Sequence, residues 1–250
     1  MVKVRYTFKR SNVVVVTDSH EAVREAVRSI KRNVTLLEKY LERHPAFFYS
    51  LEPVEARKDA PEVAKHMAEA AFETGVGPMA AVAGALADMA VEAMLPKAKV
   101  AVVENGGEVS ANSERAVTVG ILAGSSPLSG KLAFQLSKED MPLGIGTSSG
   151  TVGRGFSFGI ADAATVVARN AALADAAATA VGNAVRGKDP ERAVQAGLEV
   201  AEGIRGVRGA LVIVGEHVGM VGKLPKIVRV KGNLVEVVSD VEEYLPPRMV

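Results

Sequence analysis

The sequence contains no cysteine and no tryptophan among its 250 residues. The absence of cysteine excludes a disulfide framework, an iron–sulfur cluster, a cysteine-containing zinc site and a thiol nucleophile. It also excludes the cysteine-linked lipid anchor of bacterial lipoproteins. Aromatic residues make up only 4% of the chain, which argues against a platform for stacking nucleic-acid bases. Any chemistry must therefore come from oxygen- and nitrogen-bearing side chains and from the backbone.

The charge is nearly balanced, with 30 Lys and Arg against 29 Asp and Glu and a formal net charge of +1. This balance disfavours broad neutralisation of nucleic-acid phosphates. The longest weakly polar run, residues 75–95, carries Asp88 and Glu92, whereas a membrane span needs about 20 strongly apolar residues. With 48% hydrophobic and 24% charged residues, the composition predicts a folded, soluble, cytoplasmic protein without a nucleic-acid or membrane partner.

Hydrophobic periodicity and turn signals predict one domain over residues 1–250, built of short strands and several helices. Strands occur in groups with helices between the groups, which favours an α+β fold over a parallel doubly wound sheet. The order strand–strand–helix occurs near both ends of the chain and suggests two related halves. Predicted helices cover residues 19–44, 61–73, 78–95, 171–185 and 190–203, and predicted strands cover 2–8, 12–17, 47–51, 100–103, 108–111, 116–122, 131–136, 164–168, 210–214, 227–230 and 234–238.

Four local segments carry residues suited to chemistry, and the first lies around the glycines at 75 and 77. Gly75-Val76-Gly77-Pro78 precedes a helix of small residues that carries Gly84 and Asp88. Glycines before a helix leave backbone N–H groups free to hold an anion. A tightly packed helix–helix junction accounts for the same residues, and it is the better supported interpretation of this segment alone. No strand precedes the glycines, so the segment is not a dinucleotide-binding fingerprint.

The second segment is Glu104-Asn105-Gly106-Gly107-Glu108. Asn-Gly between two apolar runs is a strong hairpin signal. A turn alone explains it, although the flanking acids leave a ligand or metal role open.

The third segment, residues 144–155, contains five glycines, four hydroxyl residues and Arg154. Backbone N–H groups, hydroxyls and a guanidinium suit phosphate oxygens. The Gly-Lys-Ser/Thr ending of a P-loop is missing. We predict a binding loop here, and a flexible surface loop is the alternative.

The fourth segment places Asp175 and Thr179 on one helix face, because residues four apart are neighbours on a helix. An acid and a hydroxyl among alanines are costly without partners. Their hard oxygens suit Mg²⁺ shared with a phosphate-bearing ligand. Alternatively, Asp175 interacts with the positive end of the helix dipole and Thr179 bonds back to a carbonyl. The residues alone leave both interpretations open.

Taken in this order, the four segments resemble the FAD:protein FMN transferase (ApbE) family, and more closely its uncharacterised cytoplasmic branch. The resemblance covers roughly residues 73–222, and its last motif is the most specific. The family's Gly-Gly-Ile-Ala-Lys-Gly loop, Asn-x-Gly-Gly-Asp turn, Ala-Thr-Ser-Gly segment and Ala-Asp-Ala-x-Ala-Thr helix are similar to residues 75–84, 104–108, 147–150 and 174–179.

The resemblance implies an α+β fold with two T-fold-like modules of antiparallel strands and packed helices. It implies that Asp175 and Thr179 hold Mg²⁺ beside the FAD diphosphate, joined by a backbone carbonyl within residues 79–81. The partner would be a nucleotide or flavin, and a homo-oligomer is left open. The residues implied to bind the FAD ligand are Gly75, Gly77, Met79, Ala80, Asp88, Asn105, Gly106, Gly107, Thr147, Ser148, Ser149 and Gly150.

The chain departs from the family at the general base. The transferases carry Tyr-Ser-His-Ile-Ile-Asp-Pro-Arg-Thr-Gly, whose His is the base, whereas residues 156–162 here read Phe-Ser-Phe-Gly-Ile-Ala-Asp. The lysine of the first loop is also missing. Asp162 is a candidate substitute, although it lies past the His in register. Phe156 and Phe158 are the candidate stacking partners for a flavin ring.

Two classes of function follow. One is a Mg²⁺-dependent enzyme that cleaves FAD, as a pyrophosphatase or as an FMN transferase without its usual base. The other is a non-catalytic protein that binds a flavin or another phosphorylated ligand, and a scaffold with a vestigial pocket is a third reading. The missing base favours binding over transfer, and the scarcity of aromatics favours a phosphate-and-metal site over a flavin-specific one.

Overall fold

The computed structural model describes residues 1–150 and 158–230. Its main feature is an eight-stranded sheet in which every pair of neighbours is antiparallel. In spatial order the strands are β1 Val2–Phe8, β2 Ser11–Thr17, β3 Val100–Asn105, β4 Glu108–Ser113, β7 Leu143–Ser148, β8 Ala163–Ala168, β9 Val207–Val214 and β10 His217–Gly222. A smaller antiparallel sheet consists of β11 Lys226–Arg229, β6 Leu132–Leu136 and β5 Val117–Ile121.

Three of the six α-helices in the described residues start where a capping side chain satisfies free N–H groups. The side chain of Ser19 accepts a hydrogen bond from Ala22 N–H at 3.3 Å, and that of Asn170 accepts one from Leu173 N–H at 3.0 Å. Three 3₁₀ helices cover Pro78–Ala81, Leu95–Lys97 and Lys138–Asp140. The α-helices are α1 His20–Arg43, α2 Pro45–Tyr49, α3 Glu62–Thr74, α4 Val82–Met94, α5 Ala171–Ala184 and α6 Pro190–Gly203.

The large sheet is built from two runs of the chain with the same order of elements. In each run two strands are followed by helices and then by two more strands, first β1 to β4 and then β7 to β10. The runs join where β4 pairs with β7, with Val109 opposite Ile145 and Ser110 opposite Gly144. The predicted α+β fold of antiparallel strands with packed helices is thereby confirmed.

The apolar core lies on both faces of the large sheet. On one face the strands pack against the helices in two apolar clusters. One cluster contains Tyr40 and Met67, and the other contains Leu173. On the other face Leu143 and Ile145 pack against the small sheet, with Phe134 fully buried between them. This layering places α4 and α5 directly on the strands that carry the predicted site.

One stretch within the described residues, Pro78–Lys97, is long and apolar enough to cross a membrane by length and composition. More than half of it is buried, and α4 packs against α1, α5 and β3. These contacts identify it as a core helix of the domain, in agreement with its acids at 88 and 92.

Three predictions of secondary structure were wrong or incomplete. Residues 47–51, predicted as a strand, belong mostly to α2, because Pro45 starts a helical turn and the buried Phe47 ring packs against Tyr40 at 5.3 Å. The glycine-rich segment predicted as a loop from residue 144 is strand β7 up to Ser148. Strand β10 was not predicted, since its two glycines obscure the alternation, and the predicted strand 234–238 lies outside the described residues.

Candidate functional site

The four predicted segments meet where α4 and α5 begin. The N–H of Gly84 in α4 donates to Oδ2 of Asp175 in α5 at 2.9 Å. The side-chain amide of Asn105, at the end of β3, donates to the carbonyl of Ala83 at 3.1 Å. The backbone of Thr147 in β7 donates to the carboxylate of Glu108, at the start of β4. Sequence reasoning therefore identified segments that are close in space.

Asp88 joins the two helices from the α4 side. Its Oδ1 accepts hydrogen bonds from Ala171 N–H at 2.9 Å and from the Ser110 hydroxyl at 2.7 Å, and its Oδ2 accepts one from Ala172 N–H at 2.8 Å. The side chain is 7% exposed. Both oxygens are occupied inside the protein, so we assign Asp88 to the packing of α5 rather than to the ligand contact that the resemblance implied.

Asp175 occupies the corresponding position from the α5 side but is less enclosed. It accepts the Gly84 N–H with Oδ2 and keeps part of its surface exposed. Thr179 lies one turn further along α5 and is also partly exposed. The 3₁₀ helix of Met79 and Ala80 packs against α5, and both residues are partly exposed. The carboxylate of Asp175 and the hydroxyl of Thr179, one helical turn apart and both partly exposed, are oxygen donors of the kind that a hard divalent cation takes.

Burial raises the pKa of Asp175 well above its ordinary value, and the negative charge of Glu108 raises it further. Burial likewise raises the pKa of Glu108, to about 7, and the charge of Glu104 adds to the shift. Within residues 1–150 and 158–230, no lysine or arginine forms an ion pair with Asp175 or Glu108. A bound cation would relieve this repulsion.

The hairpin of the second segment is confirmed, and it explains the glycines at its tip. Gly106 and Gly107 have positive φ angles of 72° and 119°, as the tight turn from β3 to β4 requires. The Gly107 N–H donates to Oε1 of Glu104 at 2.7 Å. The turn positions Asn105 against α4 and Glu108 against β7, and ligand binding by the glycines remains a prediction.

The glycines of the first segment serve the backbone path between α3 and α4. Gly75 ends α3 in the left-handed conformation, with φ of 72°. A Cβ on Gly77 would lie 1.9 Å from the carbonyl oxygen of Ser50, and one on Gly84 would lie 2.1 Å from that of Ala171. The tightly packed junction between helices is thereby confirmed, whereas a role of Gly75 and Gly77 toward a ligand is untested.

In the third segment the first two glycines face α5 rather than a ligand. A Cβ on Gly144 would lie 2.1 Å from the Asn170 carbonyl carbon, and one on Gly146 would lie 2.4 Å from the Ala174 oxygen. Strand β7 alternates, so the Thr147 side chain faces the opposite side, where its hydroxyl lies 3.0 Å from that of Thr165.

The end of the third segment lies further along α5. Ser148 is on the α5 face by alternation along β7, and it is partly exposed. Ser149 follows it, and the Gly150 N–H donates to the carbonyl of Ala161 at 2.8 Å. Residues 151–157, with Arg154 and the proposed stacking residue Phe156, lie outside the described residues. Of the predicted ligand residues here, Ser148 shares with Gly144 and Gly146 the face of β7 that packs on α5.

Asp162 does not fit the role of a substitute base. It is 5% exposed, and its carboxylate accepts hydrogen bonds from the Ser125 hydroxyl at 3.0 Å and from Gly215 N–H at 2.7 Å. These bonds fix the turn between β9 and β10. The prediction is corrected: Asp162 stabilises a turn.

Sequence reasoning did not select Glu108, Ser110 or Gly84 as site residues. Glu108 aligns with the final Asp of the family's Asn-x-Gly-Gly-Asp turn, and this alignment could have identified it as a site residue. Ser110 is two residues further on the same face of β4, so strand alternation would have placed it toward Asp88. Gly84 carried the signal of a glycine inside a helix.

Two concavities in the described part of the molecule lie elsewhere. One of about 300 Å³ is bordered by Met141, Arg208 and Lys223, and another of about 310 Å³ lies between α6 and β10. Neither concavity includes a residue of α4 or α5, and the interest of that region rests on its hydrogen bonds and buried charge. The described residues contain no group of three or more His, Asp or Glu arranged to hold a metal, so a metal here would depend on hydroxyl and carbonyl ligands.

The sequence model of the family described as "AbpE bacteria" matches residues 3–219. The chain belongs to this family. Relatives of this chain include a UPF0280 protein of Methanopyrus kandleri, 43% identical over 94% of this chain and 97% of the relative. A UPF0280 protein of Methanosarcina acetivorans is 42% identical over 91% of this chain and 89% of the relative. Together with the solved structures below, they define an uncharacterised ApbE-like branch.

Two solved structures share the fold of this chain. The apo flavinyl transferase ApbE of Pseudomonas stutzeri aligns with a TM-score of 0.57 at 13% identity, over 88% of this chain and 94% of that one. The ApbE protein of Thermotoga maritima aligns with a TM-score of 0.51 at 12% identity, over 94% of this chain and 98% of that one. At these identities the likeness establishes the fold and leaves the activity open.

Proposed function

We propose that this protein binds the diphosphate of a flavin nucleotide together with Mg²⁺ where α4 and α5 begin, and cleaves FAD between its phosphates. The observation that carries this proposal is the geometry around Asp175. Its carboxylate lies beside the buried Glu108 without a basic partner in the described chain, and its surface is partly open. The likeness to a flavinyl transferase supports the choice of FAD.

Mg²⁺ would be held by Asp175 and Thr179, with a carbonyl of residues 79–81 as the third protein ligand that the resemblance implies. When bound, the metal would neutralise phosphate oxygens and stabilise the charge on a departing AMP. The Gly84 N–H holds one oxygen of Asp175 at 2.9 Å and so orients the carboxylate. Asp88 fixes the start of α5, and with it the direction from which Asp175 reaches the site.

Transfer of FMN to a protein is the less supported activity. The family His is replaced, and Asp162 is committed to a turn. Attack by water demands less of the protein than activation of a threonine hydroxyl on an acceptor protein. This observation favours a pyrophosphatase over a transferase, and it equally supports the second candidate function, binding without turnover. The cytoplasm remains the expected location.

The test is a titration of the purified full chain with FAD, with and without Mg²⁺, followed by flavin fluorescence and by chromatography of released AMP. The proposal expects Mg²⁺-dependent binding and one AMP for each FMN formed. Binding without AMP supports the binding protein instead. No binding at millimolar FAD contradicts both flavin functions.

A further inference from the structure

A small cavity lies at the end of the large sheet where β7 and β9 begin. Its volume of about 300 Å³ is at the lower end of the range of about 300–1,000 Å³ that is typical of ligand sites. Leu143 and Val167 border it, and both belong to the apolar core between the two sheets. Gly144, the next residue of β7, faces α5 instead. The cavity is therefore on the opposite face of the sheet from Asp175 and is separate from the candidate site.

Two basic residues, Arg208 and Lys223, border this cavity. The Arg208 guanidinium is fixed by two backbone carbonyls, because Nη1 donates to that of Asp140 and Nη2 to that of Pro142, each at 2.6 Å. Within residues 1–150 and 158–230, neither Arg208 nor Lys223 forms an ion pair with a carboxylate. A guanidinium carries five N–H donors, so the two neutral carbonyls leave donors for a ligand. This pair of cations favours an anionic group on that ligand.

Two acidic residues, Glu139 and Asp140, border the same cavity. Oδ2 of Asp140 accepts the Ser137 N–H at 2.7 Å and the Ser137 hydroxyl at 2.8 Å, whereas Oδ1 accepts no hydrogen bond from a described residue. Hydrogen bonds from its own N–H and from Ser137 lower the pKa of Glu139, so this exposed carboxyl is ionised at neutral pH. Two carboxylates thus border the cavity together with two cations, and the charges of its lining balance.

We propose that this cavity binds a small zwitterion with an apolar side chain, which is the chemistry of a free α-amino acid. The ligand's carboxylate would meet Arg208 and Lys223, and its ammonium group would meet Glu139 and Asp140. Its side chain would lie on the apolar wall that includes Leu143. A ligand with a single charge would be attracted by one pair of side chains and repelled by the other, whereas a zwitterion complements both. The small volume favours a molecule of this size over a dinucleotide.

The test titrates the purified full chain by calorimetry with L-leucine and with two analogues that keep its branched side chain. Isocaproate lacks the ammonium group, and isoamylamine lacks the carboxylate. We expect L-leucine to bind, and each analogue to bind at least about tenfold more weakly, because each loses one set of charged hydrogen bonds.

Two variants at exposed positions, Lys223→Gln and Glu139→Gln, locate the site without disturbing the core. Each should weaken L-leucine binding about tenfold. Lys223→Gln should also weaken isocaproate binding and leave isoamylamine binding unchanged, whereas Glu139→Gln should do the reverse. The matched control is Lys226→Gln, an exposed residue of β11 outside the cavity lining, which should bind L-leucine like the parent.

Isocaproate that binds the parent as tightly as L-leucine does would overturn the zwitterion and indicate a simple anion site. Parent-like binding of L-leucine by both variants would overturn the location. The proposal also fails if neither L-leucine nor any other standard amino acid binds at millimolar concentration. FAD binding and AMP release should be the same in both variants as in the parent, and a loss of either would contradict the separation of this cavity from the candidate site.

Discussion

Asp88 and Asp175 cap each other's helices: Asp88 of α4 accepts the N–H groups of Ala171 and Ala172 in α5, and Asp175 of α5 accepts the N–H of Gly84 in α4. The two helices thus cross at their N-terminal turns, where each dipole favours a negative charge. The two acids differ in their surroundings. Asp88 is buried and also accepts a hydrogen bond from Ser110, whereas Asp175 is partly exposed. We assign a structural role to Asp88, and the proposed function gives the ligand-binding role to Asp175.

Replacing Asp88 by alanine should destabilise the fold. The change leaves the N–H groups of Ala171 and Ala172 and the Ser110 hydroxyl without their acceptor in a buried place. We expect a loss of about 2–4 kcal/mol in the free energy of unfolding, measured by chemical denaturation. Ser110→Ala removes one of the three bonds and should cost about 1 kcal/mol. Equal effects of the two variants would contradict the capping role.

Replacing Gly84 by alanine should separate α4 from α5. The new Cβ would lie 2.1 Å from the backbone oxygen of Ala171, which has no flexible side chain to move aside. We expect a loss of about 2–4 kcal/mol in the free energy of unfolding. The matched control is Gly203→Ala at the end of α6, where nothing lies within 4 Å. That control should be neutral or slightly stabilising, and a Gly84 variant as stable as the control would refute the close crossing.

Ionisation of Glu108 should weaken the fold at neutral pH. Burial raises its pKa from 4.5 to about 7, so the folded state prefers the protonated form. Stability is therefore highest below the unfolded pKa, declines as the pH rises through the folded pKa of about 7, and is lower by the full cost of about 3 kcal/mol above it. In metal-free buffer, Glu108→Gln should raise the free energy of unfolding at pH 8 and leave it nearly unchanged at pH 4.5. Glu202→Gln on the exposed face of α6 is the control, and a pH-independent gain at Glu108 would count against this account.

The Glu73–Arg169 ion pair should contribute modestly to the junction of α3 with the start of α5. Arg169 donates to both carboxylate oxygens of Glu73, at 2.7 and 2.9 Å, and the hydrogen bond from Arg169 lowers the pKa of Glu73. A lowered pKa means that this stability is present above pH 4.5 and is lost as the carboxyl protonates on acidification. Arg169→Ala should cost about 1 kcal/mol at pH 7, because the guanidinium is partly exposed. Thermal melting of the parent and of Arg169→Ala at pH 7 and pH 3 measures this loss of stability. An equal loss at both pH values would contradict the ion pair.

Much of the fold could be predicted from local patterns, because its long helices have clear caps and its strands alternate. The helix from Ser19, the hairpin at Gly106 and Gly107, and the strand at residues 163–168 follow from such signals. The strand from Leu143 to Ser148 could not be predicted, since its glycines suggest a loop until α5 is seen to pack on them. Glycine alone does not distinguish a backbone that approaches a ligand from one that approaches another helix.

The candidate site was predictable as a set of segments but not as a set of roles. The order of the motifs brought Asp88, Asn105, Thr147 and Asp175 under consideration together. Which of two helical acids is saturated by internal donors depends on the crossing of α4 and α5, a contact between residues more than 80 apart in the chain. The same long-range packing decides that Asp162 serves a turn.

The central claim is that Asp175 holds a divalent cation beside a diphosphate, and Mn²⁺ as a paramagnetic substitute for Mg²⁺ tests it most directly. Electron paramagnetic resonance would count bound Mn²⁺ in the parent, in Asp175→Asn and in the folded control Ser110→Ala, each with and without pyrophosphate. The account predicts one bound ion in the parent and in Ser110→Ala, tightened by pyrophosphate, and at least about a tenfold loss of affinity in Asp175→Asn. Parent-like Mn²⁺ binding by a folded Asp175→Asn would contradict it.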